Sequence, residues 1–357
     1  MNIIVETEEL DACPVCGTKK IKFLFKNSDR MHGIPGEFGL NQCLECSVFY
    51  LSPRPTLDTL SRYYPDDYHP HQLNEQAYTD SEPLRRSRNI LRNTILYEVY
   101  NLRNYETKPR LKTSFITKPI AYLMFPLWKR SYYDLPKINF PKYVSGGKAL
   151  DIGCGTGNYL NILREFGWDV YGIEPSEKAA DVGRNKFGLN IKTGTLLEHN
   201  FPDNYFHFIS MNHVLEHLNN PVELLSEAKR ILHPDGVIAI RTPNMNSFGY
   251  KRFGKNWLPV DTPRHLIIYS KQSITKLANQ TELIAKALST TTSNLIAYGS
   301  LEYEIRNKNN NYKDFGITRK YTFSQKLYIN ALDMYERMLI FLGKDAGEEL
   351  QAVLVKR

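Results

Sequence analysis

Three clusters of side chains in this sequence have the types and spacing that chemistry needs. Cys13-Pro-Val-Cys16 and Cys43-Leu-Glu-Cys46 are two C-x-x-C pairs with 26 residues between them, and on two tight turns their four thiolates can close a tetrahedral Zn²⁺ site. Disulfides or free thiols are the alternative, but Gly17 directly after the first pair suits a metal knuckle. Four protein ligands leave a metal no open position, so such a site is structural, its ion replacing a core that a short module cannot build. The second cluster is Asp151-Ile-Gly-Cys-Gly-Thr-Gly157, where three glycines in five positions separate two apolar runs. Without Cβ atoms a ligand can come close to the main-chain N–H groups. A phosphate loop would need Gly-Lys-Ser/Thr, and the dinucleotide pattern G-x-G-x-x-G would need a glycine where Asn158 stands. Glu174 closes the run Asp169-Val-Tyr-Gly-Ile-Glu174, about twenty residues on, where a carboxylate can accept both hydroxyls of a ribose. The third cluster is His213-Val-Leu-Glu216-His217. On a helical turn its i, i+3 and i+4 positions share one face. His213 or His217, alone or supported by Glu216, could then act as a general base toward an acceptor hydroxyl. The bland alternative is that the Glu-His pair closes a pocket and caps a helix.

The elements that must hold these groups follow from periodicity. Lys148 to Ile152 reads as a short buried strand, and Gly157 to Phe166 spaces Leu160, Leu163 and Phe166 at helical intervals, with Gly167 at the helix end. The glycines therefore occupy a strand-to-helix turn. From about residue 146 strand and helix alternate: "KALDI", "DVYGIE", "NIKTG", "FHFISMN", "GVIAIRT" and "ELQAVLVK" are strands, with helices over Pro221 to Leu232, before an "HPDG" turn, and over Ile274 to Asn279. Such alternation predicts a mostly parallel, doubly wound sheet whose ligands collect at the carboxyl ends of the strands. In the N-terminal part "IKFLF" is a strand between the cysteine knuckles and Leu57 to Tyr63 a short helix. Helices are also expected near Leu84 to Leu102 and Phe115 to Tyr133, and "RNKNNNYKDFG", residues 306–316, reads as a mobile loop. The chain divides on this reading into a zinc-ribbon module (5–66), a helical linker or cap (67–145) and the α/β domain (146–357).

The glycine motif resembles the first signature of class I S-adenosylmethionine-dependent methyltransferases, and Glu174 matches the acidic end of their second strand. The resemblance implies a Rossmann-like class I methyltransferase domain and S-adenosylmethionine as methyl donor. It places Asp151 and the turn Gly153, Cys154, Gly155 and Gly157 beside the methionine end, Glu174 on the ribose, Thr195 near the adenine in place of the usual acid, and Asn212 at the edge of the same site. Some relatives hold Mg²⁺ or Mn²⁺ on a Glu-x-x-Glu-His pattern, which would correspond to His213, Glu216 and His217, with His213 departing from the pattern. The absence of Asn-Pro-Pro-Tyr after the fourth strand argues against amino-methylating enzymes. Together the ribbon, "YYPDDYH", "LDIGCGTG", "HVLEHL" and "PRHL" resemble a bacterial group that carries an N-terminal four-cysteine zinc module and works in sugar and polysaccharide biosynthesis. That group includes sugar C-methyltransferases, in which a Tyr of the N-terminal segment and a His near the strand ends act on a nucleotide-linked sugar. Here Tyr63, Tyr64 or Tyr68 could be that Tyr. "RTPN" (Arg241 to Asn244) and "DTPRHLIIYS", with Asp261, Arg264, His265 and Tyr269, could complete the pocket; His265 is a catalytic candidate or a structural His bonded to a loop carbonyl.

Composition bounds the rest. At 357 residues and 42% apolar content the chain has room for two or three units with ordinary cores. No run of eighteen apolar residues occurs and the start "MNIIVETEEL" is acidic, so neither a membrane span nor a secretory signal is indicated and a cytoplasmic protein is expected. The net charge of +8 is uneven, with thirteen Lys or Arg against three acids between Arg85 and Lys142. This stretch reads as a cap packed on the domain or as a peripheral contact with anionic membrane through residues 84–133. The expected acceptor is a sugar, nucleotide-sugar or lipid-linked glycan, methylated on oxygen in preference to carbon, with C-methylation the alternative. Two rivals stand beside it: an RNA methyltransferase, against which no stripe of alternating cations and aromatics is found, and a non-catalytic, zinc-scaffolded binding protein, against which Asp151, all three glycines and Glu174 are present.

Overall fold

A computed structural model describes residues 5–64, 141, 144–309 and 321–357. The expected helices near 84–102 and 115–133, the basic stretch with its membrane contact, and Tyr68 lie outside these residues. The described residues form two compact units: one takes 5–64 with 211–231 and the described part of 238–357, the other 144–210 with 232–237.

The N-terminal segment folds into strands β1 (Thr7–Glu8), β2 (Ile21–Asn27), β3 (Phe38–Cys43), β4 (Phe49–Leu51) and β5 (Arg54–Pro55), followed by the short helix α1 (Leu57–Leu60) and a 3₁₀ turn, Ser61–Tyr63. β2, β3 and β4 pair antiparallel. Strands β3 and β4 are buried along nearly their whole length, because Phe38, Leu40, Phe49 and Leu51 remove large apolar surfaces from water.

The α/β segment supplies β6 (Lys148–Ile152), α2 (Asn158–Glu165), β7 (Asp169–Glu174), α3 (Glu177–Phe187), β8 (Asn190–Thr193) and β9 (Phe206–Asn212). After them come α4 (Pro221–Ile231), β10 (Leu232–Pro243), α5 (Phe248–Phe253), β11 (Ile267–Ile268), α6 (Lys271–Gln280), β12 (Leu283–Thr291), α7 (Asn294–Asn309), α8 (Phe323–Phe341) and β13 (Glu349–Lys356). Seven strands form one sheet in the order β12-β13-β10-β9-β6-β7-β8. β6, β7 and β8 pair in parallel, while β13 runs antiparallel to both β10 and β12. The chain order reverses at β6, which has β7 on one side and β9 on the other; such a switch point opens a crevice at the carboxyl end of the strand. No helix among the described residues is long and apolar enough to cross a membrane.

Three details depart from the sequence reading. The ribbon does not close on itself within residues 5–66: β11, two hundred residues downstream, adds to β4 as the fourth strand of its sheet, because Ile267 and Ile268 are buried apolar residues with free main-chain groups to pair. The "HPDG" turn is absorbed into β10, which starts at Leu232 with Pro234 and Asp235 exposed. Arg306 to Asn309 continue α7 rather than open a loop, since Arg306 Nε bonds Glu302 Oε1 at 3.1 Å one helical turn back; residues 310–316 lie outside the described set.

Candidate functional site

The glycine turn is built by conformations that side chains avoid. Gly153, Gly155 and Gly157 have φ of 69°, 54° and 76°, in the left-handed region where L-residues cost about 1–2 kcal/mol each. A Cβ on Gly155 would meet nothing within 4 Å, whereas one on Gly157 would lie 2.5 Å from Leu189 Cδ1. Gly155 thus keeps the space over the turn open, and Gly157 lets the start of α2 pack closely on Leu189 and Ile191. Glu174, at the end of β7 and 5% exposed, accepts the Gly155 N–H at 2.8 Å through Oε2 and the Ser176 N–H at 2.9 Å through Oε1. Asp151 is buried and accepts from Ser210 Oγ at 2.7 Å. Burial pushes its carboxyl up to about 7, with Ser210 opposing and the Glu174 charge assisting. A buried carboxyl poised at neutral pH and a second carboxylate at the next strand tip can meet the ammonium and ribose hydroxyls of an aminoacyl nucleoside, while the N–H groups of Gly153, Cys154, Gly155 and Gly157 are spent on the Ile173, Glu174 and Cys154 oxygens and hold the turn's shape.

Cys154 and Thr195 take up different surroundings. The Cys154 thiol is buried, 2.7 Å from where a Cβ on Gly172 would stand, so its side chain packs the core and only its backbone belongs to the turn. Thr195 is exposed and caps the 3₁₀ turn Leu196–Glu198 in a capping box, with Glu198 Oε2 accepting the Thr195 N–H at 2.8 Å. Asn212 ends β9. Ser210, the partner of Asp151, is a residue that spacing alone did not single out.

The histidines do not share a face. Only Leu215–His217 is helical, as a 3₁₀ turn, and His213 before it is left-handed, with φ 55°. Its ring is turned between two carboxylates, Nδ1 3.0 Å from Glu216 Oε1 and Nε2 3.2 Å from Glu349 Oε1. Burial opposes a charge on His213, but the two carboxylates outweigh it and raise its pKa to about 9. Its side chain keeps 41% of its surface accessible. Glu216 is wholly buried; burial pushes its pKa up, yet His213 holds it down at about 2. Its Oε2 accepts from Thr242 Oγ1 at 3.0 Å. Glu349 in turn accepts from Arg241 Nε at 2.9 Å.

His217 is held by a different set of hydrogen bonds. Its Nδ1 lies 3.0 Å from the Arg264 carbonyl oxygen and 3.0 Å from the Tyr64 hydroxyl. A carbonyl can only accept, so Nδ1 carries the proton and Nε2 the lone pair. Burial, seconded by the His265 charge, lowers the His217 pKa to about 4, which keeps the ring neutral at pH 7. His265 stands edge-on to it with ring centroids 4.7 Å apart, and its Nδ1 is 2.8 Å from the Pro259 carbonyl; the loop-carbonyl bond and the place beside His217 thus coexist. Of the three candidate tyrosines, Tyr64 reaches His217, while the Tyr63 hydroxyl donates to the Pro35 carbonyl at 2.5 Å. The expected Mg²⁺ or Mn²⁺ set of His213, Glu216 and His217 is corrected: both His213 nitrogens are taken by carboxylates, and the ligand-capable atoms within 4.8 Å of one another are those of Glu216, His217 and His265.

The four cysteines meet as a cluster, ligand atoms within 4.8 Å of one another. Cys13 and Cys46 Sγ are 3.7 Å apart and Cys16 and Cys43 Sγ 3.5 Å, with no disulfide. A Zn–S bond of about 2.3 Å sets tetrahedral S···S edges of about 3.8 Å, so the thiolates fit the ion. Glu45 and Cys46 N–H groups both point at Cys43 Sγ, at 3.4 Å. Gly17 in the first knuckle and Ser47 in the second hold the matching left-handed positions, φ 72° and 58°.

Residues 127–283 match the sequence family described as a methyltransferase domain. Curated relatives include the ubiquinone biosynthesis O-methyltransferase of Actinobacillus pleuropneumoniae serotype 7 (strain AP76), 32% identical over 37% of this chain and 58% of the relative. Another is the demethylmenaquinone methyltransferase of Geobacillus stearothermophilus, 32% identical over 30% of this chain and 50% of the relative. The chain thus spans half to three-fifths of the length of these relatives. Similar solved structures include an S-adenosylmethionine-dependent methyltransferase from Archaeoglobus fulgidus, with 18% identity, TM-score 0.42 and coverage of 66% of this chain and 99% of that one. A geranyl diphosphate C-methyltransferase from Streptomyces coelicolor A3(2) gives 15% identity, TM-score 0.42 and coverage of 70% and 86%. Residues 127–283 thus match a methyltransferase domain, and the described part of them supplies β6 to β10 of the mostly parallel seven-stranded sheet.

Proposed function

We propose that the protein transfers a methyl group from S-adenosylmethionine to a sugar or glycan precursor, on oxygen in the first instance, with His217 as general base. The observation that carries this reading is the approach of Tyr64 to His217, 3.0 Å from hydroxyl to Nδ1, a Tyr of the N-terminal segment set against a strand-end His. S-adenosylmethionine supplies a methyl already activated on a sulfonium, so the chain's own work is binding, alignment, exclusion of water and management of one proton. An aliphatic hydroxyl does not ionise at pH 7, and the neutral His217 would remove its proton through Nε2. As His217 becomes cationic, the Glu216 carboxylate in the same cluster meets the new charge, and His213 keeps that carboxylate ionised. A ketosugar acceptor would use the same base on the carbon beside its carbonyl, giving C-methylation. On the donor side Asp151 would take the ammonium and Glu174 the ribose hydroxyls, with the donor lying over the open side of Gly155.

A quinone-ring hydroxyl or carbon is a second reading, favoured by the names of the curated relatives. A screen with isotope-labelled methyl donor against nucleotide sugars, lipid-linked glycans, demethylated quinones and RNA, read by mass, separates them. Turnover of a sugar acceptor is the expected result. Turnover confined to quinones replaces the acceptor, turnover confined to RNA replaces the class, and absence of donor binding by calorimetry removes the enzyme reading altogether.

A further inference from the structure

The carbonyl that sets the His217 tautomer belongs to Arg264, whose side chain is wholly buried. The guanidinium is held on three sides. Nε and Nη2 bond both oxygens of Asp261 at 2.8 and 2.5 Å, Nη2 also bonds Asp29 Oδ1 at 2.8 Å, and Nη1 bonds the Tyr63 carbonyl at 3.1 Å. Asp29 is itself buried in the ribbon, its carboxylate accepting the N–H groups of Met31, His32 and Ile34 at 3.0–3.2 Å. The neighbours of Arg264 are pinned as well: the His265 N–H bonds the Asp261 carbonyl, and the Leu266 N–H bonds the Glu216 carbonyl at 2.7 Å while the Leu266 carbonyl accepts from Leu51 of β4 at 3.0 Å. One side chain thus joins three things that bear on His217. It fixes the main chain carrying the acceptor of its Nδ1–H, the backbone just before Tyr64, and the ribbon loop around Asp29.

We propose that Arg264 is a positioning residue: its buried fork to Asp29 and Asp261 holds the carbonyl that locks His217 in the Nδ1–H tautomer, so the cysteine ribbon sets the orientation of the base. A ring whose second nitrogen is fixed by a main-chain acceptor presents one nitrogen lone pair in one direction. If the guanidinium lets go, the carbonyl drifts and both tautomers become populated, which divides the base between a competent and an incompetent form. The inference rests on the reading of His217 as base for its effect on rate, but not for its effect on the ring.

Long-range ¹H–¹⁵N spectra of the full chain labelled at histidine, with His217→Gln for assignment, report the tautomer directly. The wild-type ring is expected to be protonated on Nδ1 alone between pH 6 and 8; finding the Nε2–H form there overturns the proposal with no variant needed. Arg264→Lys and the near-isosteric Asp29→Asn, which leaves the Asp261 pair intact, are expected to show mixed tautomers. Both should also lower kcat about tenfold to a hundredfold, with S-adenosylmethionine affinity within twofold of wild type. An unaltered His217 spectrum in either folded variant also overturns it. A mixed tautomer supports the positioning role; if kcat then stays at the wild-type value, the general-base reading is what fails.

Discussion

The two sites of this molecule are assembled in opposite ways. The glycine turn and its acid come from one βαβ stretch, residues 151–174, whose geometry is local: three left-handed glycines and a strand tip. The histidine cluster gathers Tyr64, Glu216, His217, Arg264 and His265 from distant parts of the chain, with Asp29 behind them. A locally built site tolerates sequence change everywhere except at its few fixed conformations. A site built from far-apart segments depends on the buried polar links that bring them together, each of which costs several kcal/mol to break on one side only.

Removing the proposed base should separate the two most sharply. His217→Ala is expected to slow methyl transfer about 10²–10⁴-fold while leaving S-adenosylmethionine affinity within twofold, as read by single-turnover rates and calorimetry; a rate within threefold of wild type would remove His217 from the mechanism. The reciprocal change, Glu174→Ala, strands the Gly155 and Ser176 N–H groups and removes the proposed ribose acceptor, for an expected cost of about 2–3 kcal/mol and about a hundredfold weaker donor binding. Tautomer and pH behaviour of His217 should not move with it.

Acid should divide the sites without mutation. In the free chain the Asp151 carboxyl titrates near 7, and a cationic donor favours its ionised form. Below that pH binding must expel a proton, so affinity falls as pH falls, about tenfold per unit. His217 stays neutral over the same window because its pKa is near 4. Calorimetry from pH 8 to 5.5 should show this decline in wild type and a flat profile in Asp151→Asn; parallel profiles would sever Asp151 from the donor. The smallest effect belongs to the ribbon. Ser47→Gly removes a left-handed side chain and should stabilise by about 1 kcal/mol, visible as slower amide exchange around Cys43 and Cys46 and unchanged around the glycine turn.

This contrast also explains what could be read in advance. "KALDI", "DVYGIE", "FHFISMN" and "ELQAVLVK" coincide with β6, β7, β9 and β13, since strands buried on both faces write themselves as apolar runs. The two-residue β11 carries no periodicity, and β12 is only partly buried along its length, so neither has a local signature. At the sites, Asp151, Glu174 and the glycines declare themselves by spacing. His213 misleads, because i, i+3, i+4 spacing implies a shared face only inside a helix, and a left-handed residue breaks that geometry. Glu349, which anchors His213 and Arg241, opened the "ELQAVLVK" strand pattern, where nothing but tertiary pairing marks it as more than a strand residue. Tyr64 stood out from Tyr63 only once the Pro35 bond of its neighbour was visible.

The borrowing of β11 by the ribbon restricts how this architecture can be rearranged. A segment cut after residue 64 would carry its knuckles away with an open sheet edge on β4 and a buried Asp29 deprived of its cation, while the remainder would keep a guanidinium with nowhere to go. Shuffling ribbons between proteins of this layout therefore requires exchanging the Asp261–Ile268 loop along with them, as a single discontinuous unit of inheritance.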